Sequence, residues 1–310
     1  MIRVTRSLSV PFSRAAGFSP RGLAGLRPPF QDIERPRKLK HAAQTPRGLA
    51  MRRAAFTIIE LLVVMGILAL LAAILLPGVS AAREHAKALM CRSNIGQIML
   101  ANDYYADENG GVYCPGAARF RKNLHRWHGA RNEVNEPFDS KSGPLVPYLG
   151  PEAAVRQCPV FAAKEIGAEG GSFERGNGGY GYNNAFVGVQ LTQLASGEYL
   201  VSTDLAGTWK SRIKRPADTV MFTDSAFAGS RLIEYSFAEP RFHPQYPTFR
   251  MDPSIHFRHR ESANVGWCDG HVDARRRTFT WSSGIYRSDP DPFDVGWFGE
   301  TDDNGLFDLK

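Results

Sequence analysis

Residues 56–76 read FTIIELLVVMGILALLAAILL, and they decide how this chain folds. These 21 residues include one charged side chain, that of Glu60. At 1.5 Å per residue, an α-helix of this length spans roughly 30 Å, the thickness of the hydrocarbon core of a bilayer. The stretch therefore predicts one membrane-spanning helix over residues 56–76.

The residues ahead of this stretch predict its orientation. Arg52 and Arg53 precede Phe56, and basic residues beside a span stay on the cytoplasmic side. We expect a single-pass membrane protein whose N-terminus stays in the cytoplasm and whose C-terminal body lies across the membrane. Residues 1–55 are predicted to be a basic leader without a core. Translation starts at Met1 or at Met51, and a transit peptide is the alternative interpretation of residues 1–50.

Charge argues against nucleic acid as a partner. The chain has 38 Lys+Arg and 31 Asp+Glu, a net charge of +7. Residues 1–55 hold 12 of the basic residues and two acidic ones, a net of +10, which leaves −3 for residues 56–310. Because the body is not basic, it lacks the electrostatic signature of a phosphate-binding protein.

Glu60 is out of place in an apolar helix. A carboxylate near the start of a span costs a few kcal/mol unless it is paired, which marks it as a functional residue. If the chain is cut after Ala55, Phe56 carries a free α-amino group four residues before Glu60. Opposite charges about 4 Å apart attract by ~4 kcal/mol at an effective dielectric constant of about 20. The pair could form within one chain or between neighbouring chains.

The sequence from Ala55 to Val64, AFTIIELLVV, resembles the prepilin motif of type IV pilins and type II secretion pseudopilins. In that family a prepilin peptidase cuts before the Phe and methylates the new amine, and the Glu guides subunit docking. The resemblance implies processing between Ala55 and Phe56, assembly through Glu60, and a place in the bacterial cytoplasmic (inner) membrane with the body in the periplasm. It also implies four partners: the prepilin peptidase, other pilin or pseudopilin subunits, an inner-membrane assembly platform and the lipid bilayer. The family usually has Gly where Ala55 stands.

A secretory signal peptide is the alternative interpretation of the same stretch. Val79-Ser80-Ala81 has the small residues of a signal-peptidase site. Against it, Leu61–Leu76 is long for the apolar region of a signal peptide, and a signal peptide has no use for Glu60.

A helical pattern continues past Pro77 and predicts an amphipathic helix over residues 77–109. One face carries Cys91, Ile95, Ile98, Met99, Asn102 and Tyr105. Asn109-Gly110-Gly111 is a strong signal for the C-terminal end of a helix. A helix that is apolar on one side needs a globular partner. We therefore predict an α+β, pilin-like fold: a long N-terminal helix packed on a loop-rich antiparallel sheet.

Residues 110–310 are predicted to form the β-rich globular domain. The strand candidates are Tyr199–Asp204, Thr219–Asp224, Ala263–Asp269 and His271–Ala274. The glycine-rich run at residues 176–184 contains Tyr180 and Tyr182, and it is predicted to be a loop.

Asp269-Gly270 follows His259 with nine residues between them, and this resembles the H-x9-D-G signature of proteins that pair a prepilin N-terminus with a C-terminal domain. Asp-Gly also favours a type I′ hairpin turn, in which both turn residues have positive φ. We expect His259 to hydrogen-bond either the backbone of this turn or the Asp269 carboxylate.

Two metal sites are conceivable in this region. Asp224, Asp269 and Asp273 offer the oxygen ligands that Ca²⁺ prefers, and calcium binding by the major pseudopilins agrees with this hypothesis. The alternative is Zn²⁺ held by His256, His259, Asp269 and His271. The four cysteines, Cys91, Cys114, Cys158 and Cys268, can pair in three complete ways, and the sequence does not choose among them.

The most consistent function is that of a structural subunit and not of an enzyme. Two alternatives stay open. One is a membrane-anchored binding module that uses Trp127, Tyr180, Tyr182 and Trp209. The other is a metal-dependent hydrolase built on His259, Asp269 and His271. The sequence does not indicate which secretion or pilus system the chain serves, or what is exported.

Overall fold

The first helix, α1 (Ile58–Glu108), is one continuous element that passes through Pro77. The computed structural model describes residues 56–150, 154–164, 174–285 and 287–310. The predicted leader, residues 1–55, lies outside the described residues. Proline lacks the N–H that would bond one turn back, but the leucine- and alanine-rich sequence before it and the alanine-rich sequence from Ala81 onward favour helix on both sides.

The C-terminal half of α1 is amphipathic, as predicted. Its buried residues are Cys91, Asn94, Ile95, Ile98, Met99, Ala101, Asn102 and Ala106. The helix ends at Glu108, where Gly110 and Gly111 have φ of 67° and 81° and the Gly111 N–H donates to the Ala106 carbonyl at 2.7 Å. This Schellman arrangement satisfies a terminal carbonyl and confirms the predicted end.

The remaining elements of the described chain are short. A second helix is α2 (Pro159–Ala163), and single 3₁₀ turns occupy Phe120–Lys122, Val146–Tyr148, Lys210–Arg212 and Asp291–Phe293. The strands are β1 (His125–Arg126), β2 (Gly129–Ala130), β3 (Tyr180–Tyr182), β4 (Gln190–Gln193), β5 (Tyr199–Thr203), β6 (Val220–Asp224), β7 (Phe227–Ala228), β8 (Leu232–Ile233), β9 (Phe242–His243), β10 (Tyr246–Arg250), β11 (Ile255–His256), β12 (Ser262–Trp267), β13 (Val272–Arg276) and β14 (Val295–Gly296).

The central sheet has four strands in the order β13-β12-β6-β3. All of its neighbouring strands are antiparallel, with Val265 opposite Asp273 on one side and opposite Thr223 on the other. The four strand candidates correspond to β5, β6, β12 and β13 with small differences at their ends. The long helix followed by an antiparallel-strand region confirms the predicted α+β, pilin-like class.

The buried face of α1 packs on this sheet, chiefly on β12. Gly266 makes the close approach possible, because a Cβ atom there would lie 2.0 Å from Met99 Sδ and 2.7 Å from Ile95 Cγ2. Ile95, Ile98 and Met99 belong to one hydrophobic cluster with the inner face of the sheet. The packing therefore depends on a strand with no side chain at the crossing point.

The sequence predicts a loop for the tyrosine-rich segment, and this prediction is wrong. Tyr180–Tyr182 forms β3, which pairs with β6, and both tyrosines are fully buried. A Cβ atom on Gly181 would lie 2.5 Å from the Phe237 backbone, so glycine is required between Tyr180 and Tyr182. Glycine, usually a loop residue, here allows another segment to approach the strand closely.

Candidate functional site

The N-terminal half of α1 is exposed on all sides. Every residue from Phe56 to Arg83 is exposed, including the whole apolar run. The helix is long and apolar enough to cross a membrane, with a mean hydropathy of 2.9 over its most apolar 18 residues, none of them buried. An apolar surface of this size must be covered by lipid or by other protein.

Glu60 lies at the N-terminal end of this exposed half, and Phe56 precedes it in the chain. Phe56 is 72% exposed and stands two residues before the start of α1 at Ile58. Glu60 is in the first helical turn and exposed. A carboxylate in the first turn is favoured by the helix dipole, whose N-terminal end is positive. Ala55, the other predicted processing residue, lies outside the described residues.

Two asparagines join the other half of α1 to the edge strand β3. Asn94 Nδ2 donates to the Tyr180 hydroxyl at 2.9 Å, and Asn102 Nδ2 donates to the Tyr182 hydroxyl at 3.1 Å. Asn102 Oδ1 accepts from the Cys114 N–H at 3.0 Å, and the Tyr182 hydroxyl donates to the Cys114 carbonyl at 3.1 Å. These buried polar groups satisfy one another's hydrogen bonds, so they fix the position of the helix relative to the sheet.

The H-x9-D-G motif spans a whole strand. His259 lies three residues before β12 and Asp269-Gly270 lies just beyond its other end, so the six residues of β12 keep them roughly 20 Å apart. The expectation that His259 bonds the turn or Asp269 is therefore wrong. Asp269 Oδ1 instead accepts from the His271 N–H at 3.1 Å and lies 2.6 Å from His271 Nδ1.

The Asp-Gly hairpin is present, but its turn is not type I′. Only Gly270 has a positive φ, at 99°. The Gly270 N–H donates to the Trp267 carbonyl at 2.9 Å, and the Trp267 N–H donates to the His271 carbonyl at 3.0 Å. This is a three-residue loop with glycine in the left-handed position. The extra residue in the loop is Cys268.

The other end of the motif belongs to a buried polar cluster. Arg258 and Asp224 are fully buried, with Arg258 Nη2 at 2.6 Å from Asp224 Oδ1. Asp224 Oδ2 accepts from the Asn264 N–H at 2.7 Å and lies 3.4 Å from His259 Nε2. Cys158 Sγ lies 3.7 Å from the same nitrogen. The cluster therefore joins the end of β6 and the turn before β12 to the start of α2.

The charges in this cluster support one another. Burial raises the pKa of Asp224, but Arg258 and His259 outweigh this effect and hold it below the ordinary value. Burial lowers the pKa of His259, but its contacts with Asp224 and Cys158 raise it to about 9. Burial raises the pKa of Cys158, but a hydrogen bond from Cys91 and the charge of Arg258 lower it below the ordinary value. Among the described residues, Cys91, Cys158 and His259 form a group that could hold a metal ion.

The structure does not bring the predicted calcium ligands together. Asp224 is enclosed by Arg258 and His259, whereas Asp269 contacts His271. Asp273 accepts from Trp267 Nε1 at 2.9 Å and pairs with Arg275. β12 lies between the strands of Asp224 and Asp273, so the three carboxylates do not form one ligand set.

The alternative zinc set and the hydrolase site each require residues from both ends of β12. His256 and His259 lie in the chain before the strand, and Asp269 and His271 lie beyond it. Their side chains therefore do not converge. Sequence reasoning missed the group of Cys91, Cys158 and His259, for which the available signal was a cysteine on the buried face of α1 and another just before Pro159.

Three of the four aromatic residues suggested for a binding module are in the core. Trp127, Tyr180 and Tyr182 are fully buried, and Trp209 is 38% exposed. The Trp127 indole N–H donates to the Ser236 carbonyl at 2.7 Å. These side chains stabilise the fold and do not form an exposed stacking surface.

Residues 50–76 match the family model of the prokaryotic N-terminal methylation motif. No curated protein and no solved structure matches the chain. The matched segment contains Ala55, Phe56, Glu60 and the exposed apolar run, and it supports a type IV pilin-like precursor. The long apolar helix and the motif together fit a single-pass protein of the inner membrane.

Proposed function

We propose that the chain is a pseudopilin-like structural subunit. Prepilin peptidase cuts it between Ala55 and Phe56, and the mature chain then assembles into a filament of the type II secretion or type IV pilus kind. One observation carries the proposal: α1 is exposed on all sides from Ile58 to Arg83 and apolar there apart from Glu60, Ser80 and Arg83, yet it is packed on the sheet from Cys91 onward. A helix divided in this way has one half for its own body and one half for lipid or other subunits.

The same half of the helix serves in two environments. In the membrane, residues 56–76 are covered by lipid, and Arg52 and Arg53 hold the N-terminus on the cytoplasmic side. The body is then periplasmic. On leaving the membrane, this surface must be covered again, and identical helices from neighbouring subunits provide a matching apolar surface. An inner-membrane assembly platform is the partner expected for that transfer.

Glu60 gives the assembly its register. After cleavage, the methylated α-amino group of Phe56 is a cation, and Glu60 of a neighbouring subunit is the acidic group available to it in the apolar stretch. At about 4 Å and an effective dielectric constant of about 20, the attraction is ~4 kcal/mol. A neighbour shifted along the helix loses this pairing, so the carboxylate selects one axial stagger between subunits.

The experiment compares Glu60→Ala with Glu84→Ala in the organism's own membranes. Glu84 lies on the same helix beyond the apolar run, where it pairs with Lys87 at 3.0 Å. We expect both variants to insert, and we expect Glu60→Ala to lose cross-linking to other subunits while Glu84→Ala keeps it. Normal incorporation of Glu60→Ala into cross-linked assemblies would contradict the proposed role of the carboxylate.

A further inference from the structure

Three ligand-type atoms meet where α1 enters the body. The sulfur atoms of Cys91 and Cys158 and a ring nitrogen of His259 lie within 4.8 Å of one another, and all three residues are buried. Cys91 is the first buried residue of α1, Cys158 precedes α2, and His259 precedes β12. Asp224, at the end of β6, lies beside this group with an oxygen 3.4 Å from His259 Nε2. Three separate segments of the chain therefore contribute ligand atoms to one small volume.

The spacing is that of a coordination shell. Zinc bonds of about 2.3 Å to sulfur and about 2.0–2.1 Å to nitrogen give a tetrahedral edge of about 3.6 Å for S···N. The observed separation is 3.7 Å from Cys158 Sγ to His259 Nε2.

From this geometry we infer that Cys91, Cys158 and His259 bind one Zn²⁺ ion, with water as the fourth ligand. Two thiolates and one imidazole form a set that suits zinc and not the oxygen-seeking Ca²⁺ or Mg²⁺. The charges also balance: the two thiolates contribute −2 against the +2 of Zn²⁺, and the neighbouring Asp224 is paired with the buried Arg258. A neutral cluster avoids the cost of an uncompensated buried charge.

The site has an entry path. A groove of about 640 Å³ between α1 and the start of β12 is lined by His85, Arg92, His259 and Asn264, among others. His259 Nδ1 is buried and has no hydrogen-bond partner among the described residues.

The ion would hold α1 to the body at the point where the helix leaves the sheet. Structural zinc contributes its binding free energy directly to folding. The site therefore stiffens the junction between the exposed half of α1 and the globular body. Force on the helix during assembly passes to the body through this junction. The inference does not depend on N-terminal cleavage, and the uncut precursor should bind zinc equally.

The test uses the full chain purified in detergent without added chelator. We expect one zinc ion per chain by elemental analysis, and we expect Cys158→Ser and His259→Gln to lose it. Cys268→Ser is the matched control, since Cys268 is also buried but lies in the hairpin loop outside this group, and it should keep the ion. Wild-type protein without zinc, or full zinc in Cys158→Ser, would overturn the inference.

A second measurement keeps the test valid if the variants fail to fold. Wild-type protein in which Co²⁺ replaces zinc should show a thiolate-to-cobalt charge-transfer band and the intense visible bands of tetrahedral cobalt. Peptide mapping under non-reducing conditions should find Cys91 and Cys158 as thiols after the metal is removed. A disulfide joining these two cysteines in the native protein would overturn the zinc site, because a disulfide leaves no thiolate to bind the ion.

Discussion

Replacing Asn102 by Ala should loosen α1 from the sheet. Asn102 is fully buried, accepts from the Cys114 N–H at 3.0 Å and donates to the Tyr182 hydroxyl at 3.1 Å. Without its carbonyl, the Cys114 N–H is left buried and unsatisfied, which costs about 1–3 kcal/mol. The lost bond to Tyr182 adds about 1 kcal/mol. The expected decrease in the free energy of unfolding is therefore about 2–4 kcal/mol.

The assay is urea unfolding of the full chain in detergent, followed by the fluorescence of the buried Trp127, Trp267 and Trp297. Gln97→Ala is the control, because Gln97 lies on the exposed face of the same helix and its loss should change stability by less than about 0.5 kcal/mol. If Asn102→Ala unfolds at the same urea concentration as Gln97→Ala, the asparagine–tyrosine pairs do not fix the helix on the sheet.

The remaining predictions concern the close packing of the helix and a buried acid. Gly266→Ala should destabilise the body by about 1–3 kcal/mol, because its Cβ would overlap Met99 and Ile95. Gly96→Ala is the control and should not destabilise the body, because the nearest neighbour of its Cβ lies at 4.0 Å. Equal thermal unfolding temperatures of the two variants would refute this prediction. Burial raises the pKa of Glu239 from its ordinary 4.5 to about 7. The folded state therefore holds an extra proton in this interval, and stability should fall by about 3 kcal/mol as the pH rises through it. Glu239→Gln should remove this fall, and an unchanged pH profile in that variant would refute the assignment.

The elements that the sequence predicts correctly have a periodic pattern of apolar residues or residues that mark where the element ends. The stripe from Cys91 to Asn102 repeats with the helical period, and Gly110-Gly111 ends the helix as expected. The strands β6 and β12 are runs of β-favouring residues bounded by turn residues. In each of these cases local sequence and tertiary structure favour the same conformation.

The errors arise where a distant segment decides the local structure. Gly181 resembles a loop residue in the sequence, but in the structure Phe237 packs against it. Tyr180 and Tyr182 are therefore strand residues, and their hydroxyl groups accept hydrogen bonds from α1. Phe237 is not visible in the local pattern around Gly181. At Asp269-Gly270 the sequence predicts a hairpin correctly, but the pairing of Trp267 with His271 includes Cys268 in the loop, and the Asp-Gly signal alone does not give the loop length.

The buried cluster could not be assembled from sequence for the same reason. Cys91, Cys158, Asp224 and His259 are far apart in the chain and follow no ligand spacing. The H-x9-D-G motif suggested a contact between its own two ends, but an extended strand separates them. Only the antiparallel pairing of β6 with β12 brings Asp224 beside His259.

The most direct test of the account is the N-terminal residue of the native mature protein. Intact-mass and N-terminal peptide analysis of the membrane-extracted chain should find Phe56 as the first residue, with a methylated α-amino group. A first residue beyond Ala81 would show that the apolar stretch is a discarded signal peptide, and a chain that still begins at Met1 or Met51 would show that the proposed cleavage does not occur.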